Sequence, residues 1–328
     1  MYVYQTEIKD FSPSAIAGSG QCFRMKAISD SECRLIAHGK ELFIREDGEN
    51  AFSFSADEDE FNKIWKEYFD LNADYSVYER AVLPDDEFLQ KSVGFGKGIR
   101  ILNQDPFEML ISFIISQRKS VPAIQTSVER LCAKYGEYKY SAYMPDGSMK
   151  YEGMKDAGRK DAGPCKKDGS RSHESSRYSA EDSKERDAEE RSPRAEKSSG
   201  FYTFPDPERL ASADTDGLSE CGLGYRVPYI MDAARAVCNG SIDLDAMGRL
   251  STEELLNALM EIKGVGIKVA SCVALFGFHR LDVVPVDVWM KRVIEKIYGG
   301  SLPEEYRAYA GIMQQYMFNY ARIHKVGI

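Results

Sequence analysis

The chain has 328 residues, 43% of them hydrophobic, with seven cysteines and a formal net charge of −9. That is enough apolar material for two packed domains, but no apolar run is long enough to span a bilayer, and Met1-Tyr2-Val3-Tyr4-Gln5-Thr6-Glu7 has no signal-peptide pattern. Scattered, odd-numbered cysteines suit reduced thiols in an intracellular protein, in the cytoplasm and nucleoid of a bacterium or the nucleus of a eukaryote. They form no four-cysteine cluster that could hold an iron–sulfur centre, and no metal is expected.

The acidic balance argues mildly against nucleic acid as a partner. Much of the surplus, however, lies in the first hundred residues, as in Asp57-Glu58-Asp59-Glu60, and a DNA footprint is local. Residues 1 to about 60 read as short, often alternating strands broken by Gly, Asp and Ser: Met1–Tyr4, Cys22–Ile28, Cys33–Ala37, Glu41–Arg45 and Ala51–Ser55. They predict a twisted antiparallel sheet domain over 1–98. The loop Gly18-Ser19-Gly20-Gln21-Cys22-Phe23-Arg24, taken alone, is an ordinary turn. A helix is expected from Asp59 to Leu71, with Phe61, Ile64, Trp65 and Phe69 on its core face.

A helical domain is expected over 99–328. Asp105-Pro106 starts a helix that is apolar nearly all round, through Met109–Ile115, and hence central. Gln117-Arg118-Lys119 ends it. Arg118 is either a solvated loop residue or a cation for DNA. Val121 to Tyr135 is amphipathic. From about 150 to 200 the chain is charged and poor in apolar residues, which predicts a disordered insertion acting as a spacer. Gly222 and Gly224 then make a tight turn presenting Tyr225 and Arg226. Ser251 and Glu254 form a capping box for a helix that ends at Gly264-Val265-Gly266. The next helix starts near Ile267, with unpaired N–H groups suited to a phosphate. Glycine hairpins of this kind also occur in DNA-binding modules without catalytic activity.

Lys268 lies in that first turn, where the helix dipole favours the neutral, nucleophilic amine. Cys272 lies one turn on. Pro285 fixes the following loop, and Asp287 stands as the N-cap of a third helix, held and ionised by backbone N–H groups. A fixed carboxylate near a nucleophilic amine suits cleavage of a base–sugar bond, because it stabilises the oxocarbenium-like sugar while the amine captures C1′. Each residue alone has a plainer reading: Lys as a phosphate contact, Asp as a cap. Their order is the specific signal. In the last helix, Gln314 and Phe318 share a face, and core packing is the default for Phe318.

The run Lys263-Gly264-Val265-Gly266-Ile267-Lys268-Val269-Ala270-Ser271-Cys272, with Val284-Pro285-Val286-Asp287-Val288, resembles the helix-hairpin-helix DNA glycosylases. Within them it is most similar to the 8-oxoguanine DNA glycosylase/AP lyases. Ser19-Gly20-Gln21-Cys22-Phe23-Arg24, Asp105-Pro106-Phe107-Glu108 and Leu223-Gly224-Tyr225-Arg226 carry the likeness through the rest of the chain. The resemblance implies a Schiff base on Lys268, Asp287 as catalytic carboxylate, and a Gly20 carbonyl that reads N7–H of 8-oxoguanine. It implies that Gln314 bonds the base edge while Phe318 and Cys272 sandwich the ring. Tyr225 and Arg226 would enter the duplex, and the hairpin from Gly264 and Gly266 to Val269 would seat a phosphate. Lys263, Arg118, Ala123 and Trp289 depart from the family pattern. Arg118 replaces an asparagine, and Trp289 replaces a phosphate-binding histidine.

The sequence therefore reads as an α+β protein: an N-terminal antiparallel sheet, then an all-helical helix-hairpin-helix glycosylase domain. The expected activity is excision of 8-oxoguanine from damaged double-stranded DNA followed by β-elimination. The protein is expected to act as a monomer without a membrane and without a cofactor, beyond a structural monovalent cation at the hairpin carbonyls. An alkylpurine glycosylase on the same scaffold, or an inert helix-hairpin-helix DNA-binding protein, is the alternative.

Overall fold

A computed structural model of the chain describes residues 4–141 and 200–326. Five strands, β1 (Tyr4–Glu7), β2 (Met25–Ala27), β3 (Glu32–Ala37), β4 (Lys40–Gly48) and β5 (Ala51–Phe54), form one antiparallel sheet in the order β1-β5-β4-β3-β2. The β3–β4 hairpin closes on His38 and Gly39, both at positive φ (51° and 67°). That is the backbone of a two-residue turn whose twist matches its strands. Alternation buries Leu35, Leu42, Ile44, Phe52 and Phe54 against Trp65, on a helical segment running from Glu58 to Tyr68, and against Phe69, which caps its end.

Two expectations shift here. The strand expected over Cys22–Ile28 pairs only at Met25–Ala27, because Cys22 and Phe23 are buried in a loop whose anchor is Gln21. That side chain donates to Ser19 Oγ (3.1 Å) and the Arg100 carbonyl (2.9 Å), and accepts from Leu102 N (3.0 Å). Before it, Ser12 caps an unexpected helix, Pro13–Gly18. Its Ser-Pro start is a legible signal, but six residues are too few for a periodic pattern. The expected insertion lies outside the described residues except for Gly200, which opens the strand Gly200–Tyr202 paired with Tyr138–Tyr140.

The helices enclose a second core. At its centre the helix Pro106–Ser116, capped by Asp105 Oδ1 on Glu108 N (2.8 Å), buries Met109 through Ser116 without interruption. It packs on the helix Ile267–Gly277, and Phe113 stacks on Phe276 at 5.7 Å. Gly277 permits the approach: a Cβ there would stand 3.2 Å from Pro106 Cα. Arg100 joins the two cores. Its guanidinium donates to the carbonyls of Lys9, Asp10, Asp70 and Ala73 and lies 4.6 Å over the Tyr75 ring.

Half-buried Glu108, near Arg24, offers a pH test. Burial pushes its carboxyl from the usual 4.5 up to about 8, against the pull of Arg24. A raised carboxyl favours the folded state least once it must ionise, so its contribution is lost as pH climbs from 4.5 through 8. Glu108→Gln should gain about 1–2 kcal/mol on the wild type between pH 5 and pH 9, measured by urea unfolding. Parallel pH profiles would contradict this.

Candidate active site

The hairpin is built as its sequence requires. Ser251 and Glu254 form both halves of the capping box that opens the helix Thr252–Met260. Gly264 sits at φ +86°, and a Cβ on it would come within 2.4 Å of the Tyr229 ring. Gly266, by contrast, has an ordinary φ of −97° and open space where a Cβ would stand. It caps the helix Ile267–Gly277 without a side-chain hydrogen bond, and the first amides, those of Ile267, Lys268 and Val269, have no acceptor within the helix. Of the hairpin carbonyls, that of Ile262 accepts from Val265 N (2.9 Å) and that of Gly264 from Gln117 Nε2 (3.0 Å).

Beside the hairpin lies a pocket of about 110 Å³. Its walls bring together Gly20, Lys268, Cys272, Asp287, Gln314 and Phe318, six residues drawn from four separate stretches of the chain. Lys268 Nζ lies 3.5 Å from Ser116 Oγ and 5.2 Å from the centre of the Phe113 ring. No ion pair engages it among the described residues. Asp287 caps the helix Val288–Lys296, its Oδ1 accepting from Trp289 N (3.0 Å) and Met290 N (2.9 Å). Cys272 is buried against Lys268. Burial pushes its thiol up, and the lysine charge pulls the other way.

Gly20 stands at φ +83°, and a Cβ on it would meet Phe318 Cε1 at 3.3 Å. The backbone here has to be glycine to pass so close to the ring. The loop is held from below by Gln315 Nε2, which donates to the Ser19 carbonyl (3.0 Å). Gln314, one residue earlier, is only 3% exposed, and its Oε1 has no hydrogen-bond partner among the described residues. An unsatisfied buried acceptor is costly, and this one belongs to a residue of the pocket wall.

The expected duplex-facing residues divide. Tyr225 is 53% exposed, and Arg118 is exposed at a left-handed φ of 53°. Arg226 is different. It is 6% exposed and lies 4.4 Å over the Tyr225 ring, and it donates to the carbonyls of Leu223 (3.1 Å) and Gln117. Here it braces the tyrosine turn. Trp289 is half-buried with Arg292 5.3 Å over its ring.

Several pocket residues were not legible as site residues: Phe23, Phe113, Ser116, Lys119 and Gln315. Phe113 and Ser116 read as core of an apolar helix, and only the packing shows which side of that helix meets the pocket. Lys119 read as the end of a helix. Its Nζ in fact donates to Ser127 Oγ (2.5 Å) and the Gly222 carbonyl (2.6 Å). Among the described residues, no three His, Cys, Asp or Glu side chains group to hold a metal, and no helix is long and apolar enough to cross a membrane.

Known proteins resemble this chain in sequence and fold. The family model for the 8-oxoguanine DNA glycosylase N-terminal domain matches residues 3–110, and that of the HhH-GPD superfamily base excision DNA repair proteins matches 176–313. The structure of MBOgg1 in complex with a low-affinity DNA ligand is 30% identical with a TM-score of 0.75, over 99% of this chain and 100% of that one. The Clostridium acetobutylicum 8-oxoguanine glycosylase/lyase, solved with double-stranded DNA containing cytosine opposite the lesion, is 26% identical with a TM-score of 0.75, over 99% of each chain. The probable N-glycosylase/DNA lyase of Methanothermobacter thermautotrophicus is 32% identical over 151 residues, 37% of this chain and 48% of its own length. This chain thus spans about half of that curated relative. With both domains matched and the pocket assembled from the expected stretches, the chain belongs to the 8-oxoguanine DNA glycosylase family of the helix-hairpin-helix superfamily.

Proposed function

We propose that the protein is an intracellular, monomeric, bifunctional DNA glycosylase/AP lyase that removes 8-oxoguanine from duplex DNA. The observation that carries this is the single pocket in which Lys268, Asp287, Cys272, Gly20, Gln314 and Phe318 meet. The damaged nucleotide swings out of the stack into it. Gly20 offers its carbonyl to N7–H, the proton that guanine lacks, and Gln314 supplies the acceptor it has left unpaired. The base lies between Phe318 and Cys272.

Lys268, as the neutral amine, forms a bond to C1′ as the bond from C1′ to N9 breaks. The electron pair leaves with the base, which takes up a proton. The Asp287 carboxylate balances the positive charge on the sugar. Ring opening gives the Schiff base, loss of a C2′ proton expels the 3′ phosphate, and water releases the lysine. These steps use side chains alone. A monovalent cation at the hairpin carbonyls would serve structure only. The amides from Gly266 to Val269, beside the turn at Gly264, seat a backbone phosphate. Tyr225 wedges into the duplex, Arg226 supports it, and Arg118 reaches the strand opposite.

Borohydride trapping tests this reading on labelled duplexes holding 8-oxoguanine opposite each of the four bases. The expected result is a covalent complex, and the four duplexes rank the opposite bases. Base release from alkylated duplex without any trapped complex would instead make the protein an alkylpurine glycosylase. Binding with neither would leave a DNA-binding scaffold.

A further inference from the structure

The loop that carries Gly20 is tied to the last helix, and its three successive carbonyls divide. That of Gly18 accepts from the Arg322 guanidinium, and that of Ser19 from Gln315 Nε2 (3.0 Å). That of Gly20 accepts from no donor among the described residues. Both straps come from the helix Ala310–His324. Gln315, Phe318 and Arg322 follow at i, i+3 and i+7, so they lie along one stripe of it. Gln314, four residues before Phe318, flanks that stripe. One helix therefore carries the straps together with Gln314 and Phe318.

These straps are costly for ordinary loop anchors. Water satisfies a loop carbonyl without ordering a long side chain, whereas fixing an arginine or a glutamine costs rotamer entropy. Gln315 is buried, and Arg322 is half-buried, with its Nε left without a partner among the described residues. Burial lowers the arginine pKa, against the charge of Asp287. The guanidinium is steadied by Asn319 Oδ1 (3.4 Å) and lies 5.7 Å from the centre of the Phe318 ring, yet it is not part of the pocket wall. On the other side of Gly20, Gln104 Nε2 donates to the Gln21 carbonyl (3.0 Å). Gly20 is thus held between two fixed neighbours while its own acceptor stays open.

We infer that Arg322, with Gln315, is a positioning residue that sets the distance between the Gly20 carbonyl and the side chain of Gln314. Those two groups grip different edges of the flipped purine, whose width is fixed, so a small displacement of either loses a hydrogen bond. Arg322 touches no substrate and acts through the loop. The inference rests on the reading of this pocket as the base site and adds a consequence to it. Release of a damaged base needs the strap, whereas cleavage at a site that has already lost its base does not.

The test compares two single-turnover rates on matched duplexes: release of 8-oxoguanine, and strand cleavage at a preformed abasic site. Arg322→Met keeps an unbranched side chain near Phe318 and removes the donor to Gly18. It should slow 8-oxoguanine release by about tenfold, the effect of one misplaced buried hydrogen bond, and leave cleavage of the abasic duplex unchanged. Arg322→Lys retains a donor on a long stem and should recover most of the loss. Amide hydrogen exchange over 16–22 should quicken in Arg322→Met and return towards wild type in Arg322→Lys. Equal slowing of both reactions would make Arg322 a partner of the Asp287 charge or a contact to the duplex, and would overturn the proposal. So would base release at the wild-type rate, or unchanged exchange over 16–22. If Arg322→Met does not fold, Gln315→Met carries the same comparison, with the ratio of the two rates as its readout. Wild type that acts on neither duplex would defeat the reading of the site itself, and the exchange experiment would still decide whether the strap holds the loop.

Discussion

Replacing Lys268 with glutamine should abolish the borohydride-trapped adduct and cut strand nicking by roughly 10³-fold or more, because no other amine then occupies its place as nucleophile. Binding of lesion duplex should change far less, since the pocket and the hairpin amides remain. Asp287→Asn is the sharper companion. Asp287 holds two backbone N–H groups through a single oxygen, Oδ1. Asparagine can keep that oxygen, and it caps helices about as well as aspartate. The helix Val288–Lys296 should therefore stay intact, with an unchanged melting temperature, while base release slows by about 10²–10³-fold through loss of the carboxylate charge. Single-turnover kinetics and thermal unfolding measured together separate the two roles. A large fall in stability with unchanged chemistry would mean that Asp287 is only a cap. Full activity in Lys268→Gln would remove the amine from the mechanism.

The two hairpin glycines should answer substitution in opposite ways. Gly264→Ala puts a methyl 2.4 Å from the Tyr229 ring on a backbone at φ +86°. Left-handed strain and overpacking together should cost about 3 kcal/mol and disturb the turn that carries the binding amides. Gly266→Ala meets no protein atom at an ordinary φ, so stability should hold or rise slightly. DNA affinity should still fall about fivefold, because the added methyl stands where the phosphate approaches the first amides of the helix. Urea unfolding and fluorescence anisotropy on a lesion duplex check both. Equal effects of the two variants on binding and stability would mean that Gly266 is as structural as Gly264.

The legible parts share a physical basis. Alternating strands, capping residues and helical periodicity act over a few residues, so the β3–β4 hairpin, the Asp105 and Asp287 caps and the Ser251–Glu254 box could be read directly. Short or unpaired segments could not. Pro13–Gly18 is too brief to show periodicity, and Cys22–Phe23 looks like strand until Gln21 is seen to hold it as loop.

The sequence by itself determined the class of the protein: a sheet followed by helices, a glycine hairpin, and a lysine and an aspartate in the order that base–sugar cleavage needs. These are properties of residue type and spacing along the chain. Only the tertiary structure decided what surrounds the amine. Phe113, Ser116 and Lys119 come to the pocket because the helix Pro106–Ser116 packs on the helix Ile267–Gly277. Gln314 is left with an acceptor that no described residue satisfies, while its neighbour Gln315 spends its amide donor on the Ser19 carbonyl. Arg226 braces the tyrosine turn because the Gln117 and Leu223 carbonyls lie within its reach. Side-chain neighbours far apart in sequence are set by packing, and no local pattern encodes them.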